Sequence, residues 1–424
     1  MFLFKKLLNN DLFRNTSVYL VTNIINKAIP FLLLPLLTRY LSPSDYGYVA
    51  TFIATLGIFY VIIHVSTSGA ISVFYFRDNQ NTNQYIFNSI VLNITFFLII
   101  LFFLLVFKKN ISNLISLPEF WIPIIAIAAF FKVICQIILT IYRCEKQPFK
   151  FGLFEITRSF VNIGLSLILV IILGLAWQGR VEGFVFANFI LAVLGAVILI
   201  KKGYITYNIN TMYIRKILMF GLPLIPHALA GQAINFTDRV FINNMVSVHE
   251  TGLYSVGYSI GQIVGILGTS FTFAWGPYLF ELLSLSPDHF QKMKIVRNVY
   301  IYFILIIITA LFITLISPII IKYLIDKNFY ESSKYVFWIA CSYAAFSMAS
   351  VMSQFIYYAK KTYYLSIITF FIAILNALIN YILIKTNGGL GAAQATAITF
   401  TFQFIMYWIL ASKVQNLPWL NFFK

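Results

Sequence analysis

Long apolar runs recur from near residue 17 to residue 410, with no polar block between them large enough to fold alone. Crossing the hydrocarbon core of a bilayer takes about 20 predominantly apolar residues in a helix. The pattern predicts such spans at 17–37, 46–66, 86–107, 121–141, 156–175 and 183–200. Six more are predicted at 214–235, 253–274, 299–321, 336–357, 364–384 and 390–410. The sequence therefore predicts an all-α integral membrane protein of about twelve transmembrane helices, and an even count places both termini on one side.

Composition sharpens this picture. Apolar residues make up 60% of the chain and charged residues 10%, against roughly 45–50% and about 25% in soluble globular domains. Water is excluded as the main solvent. No small-residue cleavage site follows the first apolar stretch, so no removable signal peptide is expected. The net charge of +17 would suit nucleic acid, but the basic residues are dispersed among short loops, and orientation in a bilayer accounts for them without a nucleic-acid partner. With the termini in the cytoplasm, the inner loops receive Lys5, Lys6, Arg143, Lys146, Lys150, Lys201, Lys202, Lys292, Lys294, Lys360, Lys361 and Lys413, among others. The outer face receives the smaller set of Arg39, Lys108, Lys109, Arg180, Arg239, Lys322, Lys327, Lys334 and Lys385, as the positive-inside rule requires. Cys135, Cys144 and Cys341 have no metal-ligand spacing, so neither zinc nor a disulfide is expected, and nothing implies a cofactor.

The halves of the chain repeat. Leu41-Ser42 with Asp45 and Gly47 matches Val246-Ser247 with Glu250 and Gly252. Pro30 answers Pro226, and Gly183 answers Gly391, all at separations near 200 residues. Six helices per unit preserve orientation, so the units are parallel repeats, an arrangement found in secondary transporters. Two six-helix lobes follow, 1–205 and 206–424, with substrate expected between them.

A charge at mid-membrane costs about 2.5–3.5 kcal/mol on insertion scales, so it normally faces a cavity or a partner. Lys27 and Lys132 are in that position. Asn23, Asn26, Lys27 and Pro30 share one face of the first helix, and Gln136 stacks one turn from Lys132. Arg158 has Glu155 one turn earlier, so it is either half of an ion pair at the rim or part of the cavity. Asn162 and Ser166 continue its face. On the seventh helix His227, Gly231, Asn235 and the pair Asp238-Arg239 follow helical spacing. His227 is either a packed imidazole or a coupling residue that relays protons, and Arg239 either pairs with Asp238 or meets a phosphate at the outer mouth. No acid falls in the middle of a predicted helix, so the lumen should be positive and the substrate anionic. Asn376, Asn380, Thr396 and Thr399 form a further polar set, read as interhelical packing because a sodium site there would lack a carboxylate.

Three stretches carry a family resemblance. FLLLPLLTRYLSPSDYGYVAT at 31–51, FTDRVFINNMVSVHETGLYSVGYSIG at 236–261 and GGLGAAQATAIT at 388–399 resemble signatures of bacterial polysaccharide flippases of the Wzx type, within the multidrug, oligosaccharidyl-lipid and polysaccharide exporter superfamily. The resemblance implies two lobes forming a V around a cationic cavity. It implies a non-enzymatic carrier that turns a polyprenyl-pyrophosphate-linked oligosaccharide, such as an O-antigen or capsule repeat, from the inner to the outer leaflet of the cytoplasmic membrane by alternating access. Membrane lipids, a glycan polymerase and chain-length machinery would be its partners. Lys27 and Lys132 fit that cavity, whereas the second half offers only His227 and Arg239. Two rivals stand beside this reading. A small-solute carrier of the major facilitator class would also have twelve helices, but the loop FRDNQNTNQY lacks that class's glycine-rich, arginine-clustered signature. A membrane-embedded glycan polymerase or ligase would usually carry a large outer loop, and no predicted connection is that long.

Overall fold

A computed structural model describes residues 22, 26, 29, 31, 33–78, 81–285 and 288–419. Every regular element among them is helical, as a chain immersed in lipid must be if its backbone groups are to be satisfied internally. After helical residues 33–40 come α1 (Pro43–His64), α2 (Thr67–Arg77), α3 (Thr82–Val106), the short α4 (Lys108–Ile115), α5 (Trp121–Cys144), α6 (Pro148–Leu167) and α7 (Ala176–Lys201). The chain continues through α8 (Thr211–Gly221), α9 (Ile225–Met245), α10 (Val248–Gly261), α11 (Ile263–Ser284), α12 (His289–Leu324), α13 (Ser333–Tyr358), α14 (Thr362–Asn387) and α15 (Gly389–Val414). Among the described residues these make eleven apolar spans long enough to cross a membrane, one at each of the second to twelfth predicted positions. The first predicted span falls largely outside the described residues.

The spans are longer than the apolar windows that predicted them. The span at 156–175 begins instead at Pro148, where proline at the first helical position suits the missing N–H. The span at 214–235 extends to Met245, joined to α8 by a single 3₁₀ turn through Pro223. Large side chains such as Phe102, Ile172 and Leu315 stand more than 70% exposed on helix exteriors, the surface that acyl chains rather than water would cover.

By contacts the chain forms two compact units. One contains residues 48–236 with the described residues up to Leu33, and the other contains 34–47 with 237–424. This division by packing differs from the division by repeat at 205/206, because it falls within α9 and assigns 34–47 to the second unit. In the first unit α5 packs on α3 and α7, and α6 on α7. In the second, α13 is central, packing on α15, α11, α12 and α10.

The repeat-matched segments meet inside the second unit. Ser42 and Asp45 cap the start of α1 reciprocally, with Ser42 N donating to Asp45 Oδ2 at 2.9 Å and Asp45 N to Ser42 Oγ at 3.2 Å. Ser247 caps α10 through Glu250 N at 3.1 Å. The two starts then press together: a Cβ on Gly252 would stand 1.8 Å from the Pro43 carbonyl oxygen, and one on Gly47 would stand 2.1 Å from that of Val248. Both obstacles are backbone, so neither can swing aside. Gly252→Ala should therefore destabilise the protein by about 1–3 kcal/mol through overpacking. Thermal unfolding of purified protein should show this, while Gly231→Ala, which meets nothing within 4 Å, should unfold like wild type; equal midpoints for the two variants would refute the close approach.

Candidate functional site

The break between α1 and α2 sets the geometry of the first unit. Val65 and Ser66 have φ of 46° and 51°, a left-handed conformation that costs a β-branched residue most. The chain is held there from both sides. Gly69 N and Ala70 N donate to Ser66 O, and Gly221 of α8 sits so close to the Val65 carbonyl that a Cβ would fall 2.1 Å from it. One residue before the break, His64 Nε2 lies 2.7 Å from Ser68 Oγ, and its ring stacks on Tyr60 at 5.2 Å and 10°.

On the Tyr60 ring rests the ammonium of Lys132, 4.6 Å from the centroid. Lys132 is near the middle of α5, where an aromatic face partly compensates a desolvated cation. Within its electrostatic reach are Arg158 and Glu155 of α6. Glu155, 8% exposed, accepts from Arg158 NH2 at 2.9 and 2.8 Å and from Asn26 Nδ2 at 3.0 Å. Asn26 Oδ1 in turn accepts from Ser159 Oγ at 2.7 Å. Three sequence-predicted residues, Asn26, Lys132 and Arg158, are thus brought together, and Arg158 is both an ion-pair partner and a member of the cluster. With two cations against one acid, the described cluster carries a net positive charge inside the membrane span. Its chemistry is that of anion binding beside an aromatic face. Gln136 is half-buried one turn along α5. Lys27 and Asn23 lie outside the described residues.

Arg180 corrects the reading of the outer loops. It lies within α7, 8% exposed, and its NH1 donates to Asn162 Oδ1 and Ser166 Oγ, both at 2.8 Å. Asn162 and Ser166 are thereby engaged with Arg180. At the other end of the unit Glu145 takes Lys202 as an ion pair and Tyr204 OH at 2.7 Å. Burial first, and then this carboxylate, push the Tyr204 phenol above its ordinary range.

A second polar cluster occupies the second unit, and sequence reasoning missed its centre. Asp238, expected at a rim, is fully buried in α9. Its Oδ2 accepts from Tyr254 OH at 2.6 Å and Thr396 Oγ1 at 3.2 Å, and its Oδ1 accepts from Asn380 Nδ2 at 2.8 Å. Asn380 Nδ2 also donates to Asn376 Oδ1 at 2.9 Å, and Asn376 Nδ2 to Thr399 Oγ1 at 3.2 Å. The set read as packing without an acid therefore contains one, and Asn380 Oδ1 is buried without a hydrogen-bond partner. A buried carboxylate that accepts from two hydroxyls and a carboxamide N–H is held by neutral donors, an arrangement that can lock helices together or take up a proton. Arg239 lies over Tyr258 at 4.9 Å and Tyr254 at 5.9 Å, and Tyr258 OH meets Tyr343 OH at 2.6 Å. Asn235 is half-buried on α9, as is His227, whose Nδ1 is buried without a hydrogen-bond partner.

The model of the family described as polysaccharide biosynthesis protein matches residues 12–283, more than half of the chain. The chain belongs to that family. Relatives in Haemophilus influenzae include a protein named Lsg locus putative protein 1, 24% identical over 372 residues that span 82% of this chain and 86% of the relative. An uncharacterized membrane protein of the same organism is 25% identical over 316 residues, covering 73% of this chain and 74% of its own. Among solved structures, an inward-facing multidrug resistance MATE transporter of the MOP superfamily superposes with a TM-score of 0.73 at 17% identity, covering 93% of this chain and 96% of that one. An outward-facing MATE structure gives 0.63 at 18%, covering 96% and 97%. The family resemblance read from the three motifs is borne out. This member of the polysaccharide biosynthesis family is a multi-pass membrane protein with the fold of the MATE transporters.

Proposed function

We propose that this protein is a flippase of the bacterial cytoplasmic membrane. It carries a polyprenyl-pyrophosphate-linked oligosaccharide from the inner to the outer leaflet by alternating access of lobes 1–205 and 206–424, with both termini in the cytoplasm. The carrying observation is the Lys132–Arg158–Glu155 cluster: net positive charge at membrane depth, set against the Tyr60 ring, in a member of a polysaccharide biosynthesis family. Pyrophosphate supplies the complementary charge. Lys27, Asn23, Gln136, Asn235 and Arg239 are proposed to complete the substrate path, with His227 in a coupling role. A polar path is needed because glycan and head group must cross about 30 Å of hydrocarbon while the lipid tail stays in the bilayer.

The test is the leaflet distribution of the lipid-linked precursor in cells with and without the protein. Trapping on the cytoplasmic side in its absence is the expected result. A precursor that reaches the outer leaflet regardless but fails to lengthen would transfer support to a polymerase or ligase, and an unchanged precursor would transfer it to small-solute transport.

A further inference from the structure

The second unit holds a cavity of about 880 Å³ between the start of α12 and the end of α15. His289, Lys292 and Lys413 supply its polar wall, and Trp408 and Trp419 an aromatic one. No acid is among the described residues that line it. The neighbouring Asp288 carboxylate caps α12, accepting from Gln291 N at 2.7 Å. Trp419 is fixed by Tyr300 OH, which donates to its carbonyl at 2.6 Å, and by edge-to-face packing on Trp408 and Phe355. Its indole Nε1 is buried with no hydrogen-bond partner. Up the α15 wall, away from the lysines, Ile405 and Ile409 are 44% and 53% exposed.

This gradient has a specific meaning at the end of a membrane-spanning bundle. Two lysines and a histidine with no facing acid attract an anion. The exposed isoleucines one and two turns toward the span offer an apolar track that a soluble anion would leave uncovered, and tryptophans favour the boundary between the two. Basic pockets between transmembrane helices are established hosts of anionic lipid head groups. We propose that this cavity binds the phosphate head group of an anionic phospholipid of the cytoplasmic leaflet, with an acyl chain along Ile405 and Ile409. The site is separate from the substrate cluster of the first unit, and only its assignment to the cytoplasmic leaflet rests on the orientation proposed above.

The experiment uses the full chain in detergent micelles doped with either phosphatidylglycerol or phosphatidylcholine. Native mass spectrometry reads the lipids retained, and thermal unfolding reads the stabilisation they confer. Wild type should retain phosphatidylglycerol preferentially and unfold at a higher temperature with it. Lys292→Gln/Lys413→Gln should weaken that retention at least tenfold and lose the added stability, while unfolding like wild type in phosphatidylcholine. Unchanged phosphatidylglycerol binding by the double variant overturns the proposal. So does equal retention of phosphatidylcholine, displacement of the lipid by soluble glycerol phosphate at the same concentration, or a dimer in the spectra that excludes lipid. These outcomes are independent of flipping. Side-specific labelling of Asn416→Cys in intact cells tests the leaflet alone: labelling from outside overturns the cytoplasmic assignment without touching the binding result.

Discussion

Lys132→Glu is expected to abolish translocation of the lipid-linked oligosaccharide while the protein still inserts in the membrane. The substitution exchanges one mid-membrane charge for another, and insertion scales penalise acidic and basic groups at the helix centre by similar amounts, so insertion should be spared. The proposed substrate contact is not. Glutamate loses the cation–π contact with Tyr60, worth about 0.5–2 kcal/mol, and competes with Glu155 for Arg158. It also turns attraction for a pyrophosphate into repulsion. At an effective dielectric near 20, each such charge pair at about 4 Å is worth roughly 4 kcal/mol, so reversal should cost well over a hundredfold in affinity. Lys132→Arg should keep measurable activity. The leaflet assay, paired with quantification of protein in the membrane fraction, checks both. Normal export by the glutamate variant would remove the cluster from the substrate path.

That lysine was legible because a single polar residue in the middle of an apolar run is conspicuous without any knowledge of packing. Its partners were not. Tyr60 lies in another helix, and which face of α1 meets α5 depends on the break at Val65-Ser66, which no local signal announces. The caps at Ser42 and Ser247 were visible as repeat-matched motifs because capping chemistry spans only three residues. Helix ends were systematically misplaced for one reason. Hydropathy registers the part of a helix immersed in hydrocarbon, whereas α6, α7 and α9 continue through polar turns with their backbone bonds intact. Glu155, Arg180 and Asp238, read as rim residues, are therefore inside helices. Glu155 and Asp238, acids that the predicted spans left outside the helices, stand in those unpredicted turns. Asn376, Asn380, Thr396 and Thr399 were recognised as a set, yet their relation to Asp238 spans 142 and 158 residues and depends on the rotational setting of three helices.

Asp238 carries the second large prediction. Its carboxylate receives three donors from three other helices, Tyr254 of α10, Asn380 of α14 and Thr396 of α15, with Tyr254 and Asn380 fully buried. Asp238→Ala leaves them facing a void, and each unsatisfied buried group costs about 1–3 kcal/mol. The hydroxyls can relieve part of this by turning, so the net loss should be roughly 3–5 kcal/mol, enough to lower the unfolding midpoint sharply in detergent. Asp238→Asn is the discriminating partner. Its carbonyl can still accept from Asn380, and its amide can donate to the Tyr254 and Thr396 hydroxyls, which then accept, so most of the stability should return. Stability near that of the alanine variant would show that the carboxylate itself, and not the shape of the network, holds α9 to its neighbours. Once the asparagine variant folds, its transport separates two roles that geometry leaves superposed. Arrested export in a stable Asp238→Asn protein would mean that the charge is used during the cycle, with Asn380 Oδ1 as a spare acceptor beside it; undiminished export would mean that the network serves only to lock the helices.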